Sequence, residues 1–206
     1  MLKIAIVDDH PIVSDGIHHL IEQQYDMTMV EVFSNAASLF TWLLNNDLDI
    51  LLLDIFLPDK NGMEICLELK LHYPDVKIIC FSSQQEAVII SEMMKRGASG
   101  YLLKNANSSE IIEAIRKVAS GEEYFCEKTS LTLKNFRASL KYLPKLTRRE
   151  KDVLALIKQG NTTNTIAEKL FISPHTVESH RKNLMEKFQV KNMTSVVNRA
   201  NELGLI

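Results

Sequence analysis

Ile50-Leu51-Leu52-Leu53-Asp54-Ile55-Phe56-Leu57-Pro58-Asp59-Lys60-Asn61-Gly62 decides how this chain folds. Its first four residues are an unbroken apolar run that ends on a carboxylate. Such a run, bounded by polar residues, predicts a strand buried on both faces of a parallel sheet. Ile4-Ala5-Ile6-Val7 is a second run of this kind, ending on Asp8 and Asp9. In an open α/β sheet, ligands bind just beyond the carboxyl ends of the strands. Two strands therefore deliver three carboxylates to one crevice. Clustered carboxylates repel one another and call for a cation, with Mg2+ the expected one because it takes hard oxygen ligands.

The pattern repeats outward from there. Strands are expected at 3–8, 28–33, 49–54, 76–82 and 100–103. Between them, apolar residues recur at helical spacing, as in Val13, Ile17, Leu20 and Ile21, or Ile111, Ile112, Ile115 and Val118. Five β-α repeats over residues 1–121 imply a parallel sheet with helices on both faces. Gly97, Gly100 and Gly121 fall where helices or turns should end. Residues 122–143 break the pattern and read as a linker with room for one short helix, its apolar residues packing on one domain.

Residues 144–206 have a different character. They carry eleven Lys plus Arg and six Asp plus Glu, a net of +5, whereas the preceding residues sum to −7. An acidic front and a basic rear suggest two domains with different partners, the rear one a polyanion. Thr147 with Glu150 predicts a capping box ahead of Val153, Leu154 and Ile157, in a helix that stops at Gly160. A short helix bearing Ile166, Ala167 and Leu170 follows, then the tight turn Phe171-Ile172-Ser173. Ser173 and Pro174 open a helix that turns Val177, Leu184 and Phe188 inward. Two helices joined so closely read as helix-turn-helix, the second entering the DNA major groove. A last helix carries Met193, Val196, Val197 and Ala200.

Several function classes are set aside. No apolar stretch reaches the roughly 18–20 residues needed to span a bilayer, and no amino-terminal signal is expected. Cys66, Cys80 and Cys126 have no metal-ligand spacing; buried free thiols in a reducing, cytoplasmic setting are expected.

Two further residues sharpen the front domain. Ser82 follows the apolar run ending at Phe81, and Lys104 follows Tyr101-Leu102-Leu103. Taken singly, a strand-end Asp, Ser or Lys is usually a cap, a turn former or a solvated charge. Here those readings would have to hold at every position at once. The order Asp8-Asp9, Asp54, Ser82, Lys104 resembles the receiver domain of two-component response regulators over about residues 1–121. Leu146-Thr147-x-Arg149-Glu150, Gly160, Ile166-Ala167-x-x-Leu170 and Ser173-x-x-Thr176-Val177-x-x-His180 resemble the LuxR-type DNA-binding domain over residues 144–206. The pairing resembles the NarL/FixJ class.

The resemblance implies a five-stranded, flavodoxin-like parallel sheet followed by a small all-α domain. It implies that Asp54 accepts a phosphoryl group from a sensor histidine kinase. Asp9, Asp54 and the Phe56 backbone carbonyl would ligate Mg2+, with Asp8 acting through a water. Lys104 and Ser82 would contact the phosphoryl group, and Tyr101 would turn inward as the switch. Glu178, Ser179 and Lys182 would face base edges of double-stranded promoter DNA, with Thr176, His180 and Arg181 at phosphates or the helix edge. Met193, Val196, Val197 and Ala200 would form the surface of a homodimer made on phosphorylation, and RNA polymerase would be a further partner. One departure stands out: many relatives have an Asn-Lys-Glu-type run before Ile166-Ala167, where this chain has Thr163-Asn164-Thr165 and so lacks a lysine at 164.

Two other readings compete. An aspartyl-phosphate hydrolase would use Asp54 as nucleophile but commonly needs an acid two residues on, where this chain has Phe56. A constitutive DNA-binding protein would leave the acidic pocket unused, which its full residue set argues against.

Overall fold

The computed structural model describes residues 1–140 and 143–206. The chain divides into two compact units, Met1–Leu133 and Lys134–Ile206. In the first, strands and helices alternate: β1 (Leu2–Val7), α1 (Pro11–Glu22), β2 (Met27–Phe33), α2 (Ala36–Leu43), β3 (Ile50–Leu53), α3 (Gly62–His72), β4 (Lys77–Ser82), α4 (Ala87–Lys95), β5 (Gly100–Leu103), α5 (Ser108–Ala119) and β6 (Tyr124–Phe125). Helix α6 (Glu127–Leu140) begins in the first unit and ends in the second.

The strands form one parallel sheet in the order β2-β1-β3-β4-β5-β6. The order reverses between β1 and β3, and a binding crevice opens outside strand ends at such a switch point. The unbroken apolar runs are explained by burial on both sides. In β1, Ala5 and Val7 enter one core layer and Ile4 and Ile6 the other, all four fully buried. Leu39, Leu43, Ile65, Leu69, Ile90 and Met93 cover the first face from α2, α3 and α4. Ile17 and Ile21 of α1, with Ile111, Ile115 and Val118 of α5, cover the second. Each such side chain contributes roughly 1.5–3 kcal/mol on burial, so the strand ends are held by a firm interior.

Two sequence expectations are corrected here. The sheet has six strands among the described residues, not five: Tyr124-Phe125, too short to show periodicity, pairs with Gly100 and Tyr101 of β5. Residues 122–133, expected to begin a linker, belong to the first unit, where Leu133 of α6 is buried in the core. Gly100 ends the turn after α4, as expected, and opens β5, where a Cβ would lie 3.2 Å from the Tyr124 carbonyl oxygen. Lys141 and Tyr142, at the far end of the expected linker, lie outside the described residues.

The second unit holds α7 (Arg148–Lys158), α8 (Thr163–Leu170), α9 (Pro174–Phe188) and α10 (Met193–Glu202). The capping box is present: Thr147 and Glu150 exchange side-chain and backbone hydrogen bonds. The buried Glu150 carboxylate also meets Lys187 Nζ at 2.6 Å, tying α7 to α9. Burial opposes its charge, but Lys187 and Thr147 outweigh that and hold it below the ordinary carboxylate range. Gly160, with φ 79°, ends α7 as expected. Val153, Leu154, Ile166, Val177, Leu184 and Phe188 fill the core together with Val196 and Ala200. The last two, expected on a dimer surface, are fully buried within their own unit, so of the α10 stripe only half-buried Met193 and Val197 keep outward surface.

Candidate functional site

Sheet register assembles the acidic pocket. Val7 pairs with Leu53, Leu53 with Cys80, and Ser82 with Leu103, so the residues after these strands emerge along one edge. The ladders continue one step further. The Asp54 N–H donates to the Val7 carbonyl and the Lys104 N–H to the Ser82 carbonyl, both at 3.0 Å.

Asp8 and Asp54 are buried and Asp9 is more open. Lys104 Nζ stands 2.7 Å from Asp54 Oδ2 and 2.7 Å from Asp8 Oδ2. The first contact is a hydrogen bond. The second is an ion pair at the same distance, so the Lys104 ammonium bridges the two buried carboxylates. Burial alone would lower the Lys104 ammonium pKa; the Asp54 and Asp8 carboxylates reverse this and raise it. The Ile55 N–H donates to Asp54 Oδ1 at 2.6 Å.

Sequence reasoning missed one member of this group. His10 Nδ1 lies 2.9 Å from Asp8 Oδ1 and 2.8 Å from Asp9 Oδ1. The signal was present in the run Asp8-Asp9-His10-Pro11, where Pro11 starts α1 and so keeps the preceding residue at the strand edge. One ligand atom from each of Asp8, Asp9, His10 and Asp54 lies within 4.8 Å of all the others. Three carboxylates offering hard oxygen atoms at this spacing form an acidic pocket that fits a divalent metal ion.

Ser82 is buried in the same neighbourhood, and its Oγ accepts the Gln84 N–H at 3.3 Å. Tyr101 is fully buried and its hydroxyl donates to the Gln84 carbonyl at 3.0 Å. Burial raises its phenol pKa. The inward position expected only after phosphorylation is thus already taken in this structure. Phe56 is an exposed residue of the loop after β3, and its backbone bridges to Asn61. That loop is pressed tightly together: the Gly62 N–H donates to the Ile55 carbonyl at 2.7 Å, and a Cβ on Gly62 would lie 2.3 Å from the Asp54 carbonyl oxygen.

In the second unit, α9 follows α8 across the turn Phe171-Ile172-Ser173. Ser173 Oγ accepts the Thr176 N–H, and Pro174 begins the helix. His175, Glu178, Ser179 and Lys182 are exposed, while Thr176, His180 and Arg181 are half-buried beside them. Glu178 is already engaged. Its Oε1 accepts from the Thr163 hydroxyl at 2.6 Å and lies 3.6 Å from Arg181 Nε. Ser179 Oγ donates to the His175 carbonyl one turn back.

Comparison with known families now decides the identity. Residues 4–116, more than half of the chain, match the response regulator receiver domain, and residues 144–200 match the bacterial regulatory proteins of the luxR family. The chain belongs to the response regulators. This response regulator is 31% identical over 216 residues to the oxygen regulatory protein NreC of Staphylococcus epidermidis, covering 100% of this chain and 99% of that one. RcsB from Salmonella enterica serovar Typhimurium, bound to promoter rprA with the phosphomimetic BeF3-, superposes with a TM-score of 0.73. It is 27% identical, over 96% of this chain and 97% of RcsB. Two RcsB dimers bound to two parallel DNAs give a TM-score of 0.75 at 27% identity, over 98% of each chain.

The response regulator is therefore a two-component, DNA-binding transcriptional regulator of the NarL/FixJ class, built as a parallel α/β receiver followed by an all-helical domain. Its family is one of transcription factors, which removes the hydrolase reading. No helix among the described residues is long and apolar enough to cross a membrane.

Proposed function

We propose that Asp54 of this cytoplasmic regulator takes a phosphoryl group from a sensor histidine kinase, and that this modification changes dimerisation and promoter binding. The observation that carries the reading is the contact of one lysine with two buried carboxylates, at the switch point of the sheet. Asp9, Asp54 and the Phe56 carbonyl would hold Mg2+, with Asp8 acting through a water. When bound, Mg2+ supplies neutralising charge to the phosphoryl oxygens.

A carboxylate oxygen of Asp54 attacks phosphorus, and the bond from phosphorus to the kinase imidazole breaks with its electrons staying on nitrogen. Lys104 turns its ammonium to the transferred oxygens, and the Ser82 hydroxyl hydrogen-bonds to one of them. Because Ser82 Oγ holds the Gln84 N–H and Tyr101 holds the Gln84 carbonyl, moving Ser82 acts on the segment Tyr101 anchors. A bound group biases such a two-state element only through its differential contacts. In the second unit, Glu178, Ser179 and Lys182 face base edges, and Thr176, His180 and Arg181 flank the backbone. Promoter DNA, a second copy of the chain and RNA polymerase are the partners this reading requires.

The test is footprinting of genomic DNA with and without acetyl phosphate plus Mg2+. Protection that strengthens with the phosphodonor is expected, falling steeply with salt as counterions are released. Equal protection in both conditions would favour the constitutive regulator instead. Lys182→Ala is expected to cost roughly 1–3 kcal/mol and to relax preference at one base position. Uniform loss across all sequences, read by competition binding, would make Lys182 a phosphate contact.

A further inference from the structure

Thr163 belongs to α8, not to the helix proposed to read DNA. Its hydroxyl nonetheless donates to Glu178 Oε1 at 2.6 Å across fifteen residues of sequence. Arg181, one turn along α9, approaches the same oxygen at 3.6 Å. Both contacts fall on Oε1, and neither engages Oε2. Glu178 keeps 58% of its side chain exposed, and a free glutamate there would sample many rotamers.

We infer that Thr163 is a positioning residue that fixes Glu178 as a reader of cytosine. The inference rests on the proposed placement of Glu178 at base edges and adds what determines its selectivity. A carboxylate can only accept, so it is repelled by the guanine O6 and N7 acceptors. Adenine sets its N7 acceptor beside the N6 donor on the same base, whereas cytosine's own major-groove edge carries the N4 donor and no acceptor, the nearest acceptor being O6 of the paired guanine. A carboxylate anchored through one oxygen presents the other to a single amino group, and the fixed pose is what separates cytosine from adenine. Thr163 caps nothing, since Thr162 is the N-cap of α8. Its loss should therefore act through Glu178 and not through the helix.

The experiment is binding-site selection from a randomised duplex library, using the full chain with acetyl phosphate and Mg2+. Wild type, Thr163→Val, Thr163→Ser and Glu178→Ala are compared, with thermal unfolding as a check on folding. Wild type should select cytosine at one position of each half-site, and Glu178→Ala should lose that selection. Thr163→Val should lower the cytosine preference there by roughly tenfold, leaving other positions within about twofold. Thr163→Ser, which keeps the hydroxyl, should restore it. Unchanged preference in Thr163→Val, or an equal loss at every position, would overturn the positioning role while Glu178 remains a reader. Unchanged preference in Glu178→Ala would overturn the base contact itself and the inference with it.

Discussion

Asp54→Asn is expected to take up no phosphate from acetyl phosphate and Mg2+ under conditions where the wild-type chain is modified to near stoichiometry. A carboxamide has no anionic oxygen to attack phosphorus, and its nitrogen would turn a donor toward the metal-binding side. The fold should survive the change. Asp54 is one of two buried carboxylates held by Lys104, and Asp8 remains to pair with the ammonium. Removing one charge from a crowded acidic group also relieves repulsion. Intact-mass measurement reads the outcome directly, with circular dichroism as the folding control. Stoichiometric uptake by the variant would place the acceptor elsewhere and remove the centre of the proposed mechanism.

Gly62→Ala should damage both stability and phosphorylation, although the added methyl group is small and carries no charge. The new Cβ would lie 2.3 Å from the Asp54 carbonyl oxygen and 2.7 Å from Ile55 Cα. Both are backbone atoms, so no rotamer change can relieve the clash. Either the amino end of α3 or the chain at Asp54 must move. Overpacking of this kind costs about 1–3 kcal/mol and at times more, which urea unfolding would register as a lower midpoint. A displaced Asp54 would also lose its alignment with Lys104, slowing the initial rate of phosphate uptake. Gly16→Ala is the matching control. Nothing lies within 4 Å of a Cβ there, and alanine favours a helix interior by roughly 0.5–1 kcal/mol, so that variant should be neutral or slightly stabilised. Equal behaviour of the two variants would show that the loop after β3 yields without consequence.

The legibility of this molecule follows physical reach. Strand interiors buried on two faces must be apolar, so β1, β3 and β4 announce themselves by the runs Ile4–Val7, Ile50–Leu53 and Ile78–Phe81, which lead directly to Asp8, Asp54 and Ser82. Caps are local and were legible for the same reason: Thr147 with Glu150, and Ser173 with Pro174, act within one turn of sequence. Features set by residues far apart were not. The two residues of β6 carry no period, and only their pairing with Gly100 and Tyr101 makes them a strand. Val196 and Ala200 share an apolar stripe with Met193 and Val197, and sequence cannot divide one stripe between an interior and an interface. The run Asp8-Asp9-His10-Pro11 carries a signal for His10, but its distance to both carboxylates is set by how α1 leaves the strand end. The tight approach at Gly62 and the reach of Thr163 to Glu178 depend on elements packed together, which no spacing encodes.

The short pairing of Tyr124-Phe125 onto β5 has a practical meaning for anyone isolating the acceptor half. Cutting after residue 121 would strip the outermost ribbon from the sheet, unclothing the main-chain donors and acceptors beside Gly100 and Tyr101 and taking away the plug that Leu133 provides. A bare margin of that sort invites another molecule's main chain to lie down along it. Self-association of so trimmed a fragment would then report on the missing ribbon and say nothing about how the intact regulator assembles.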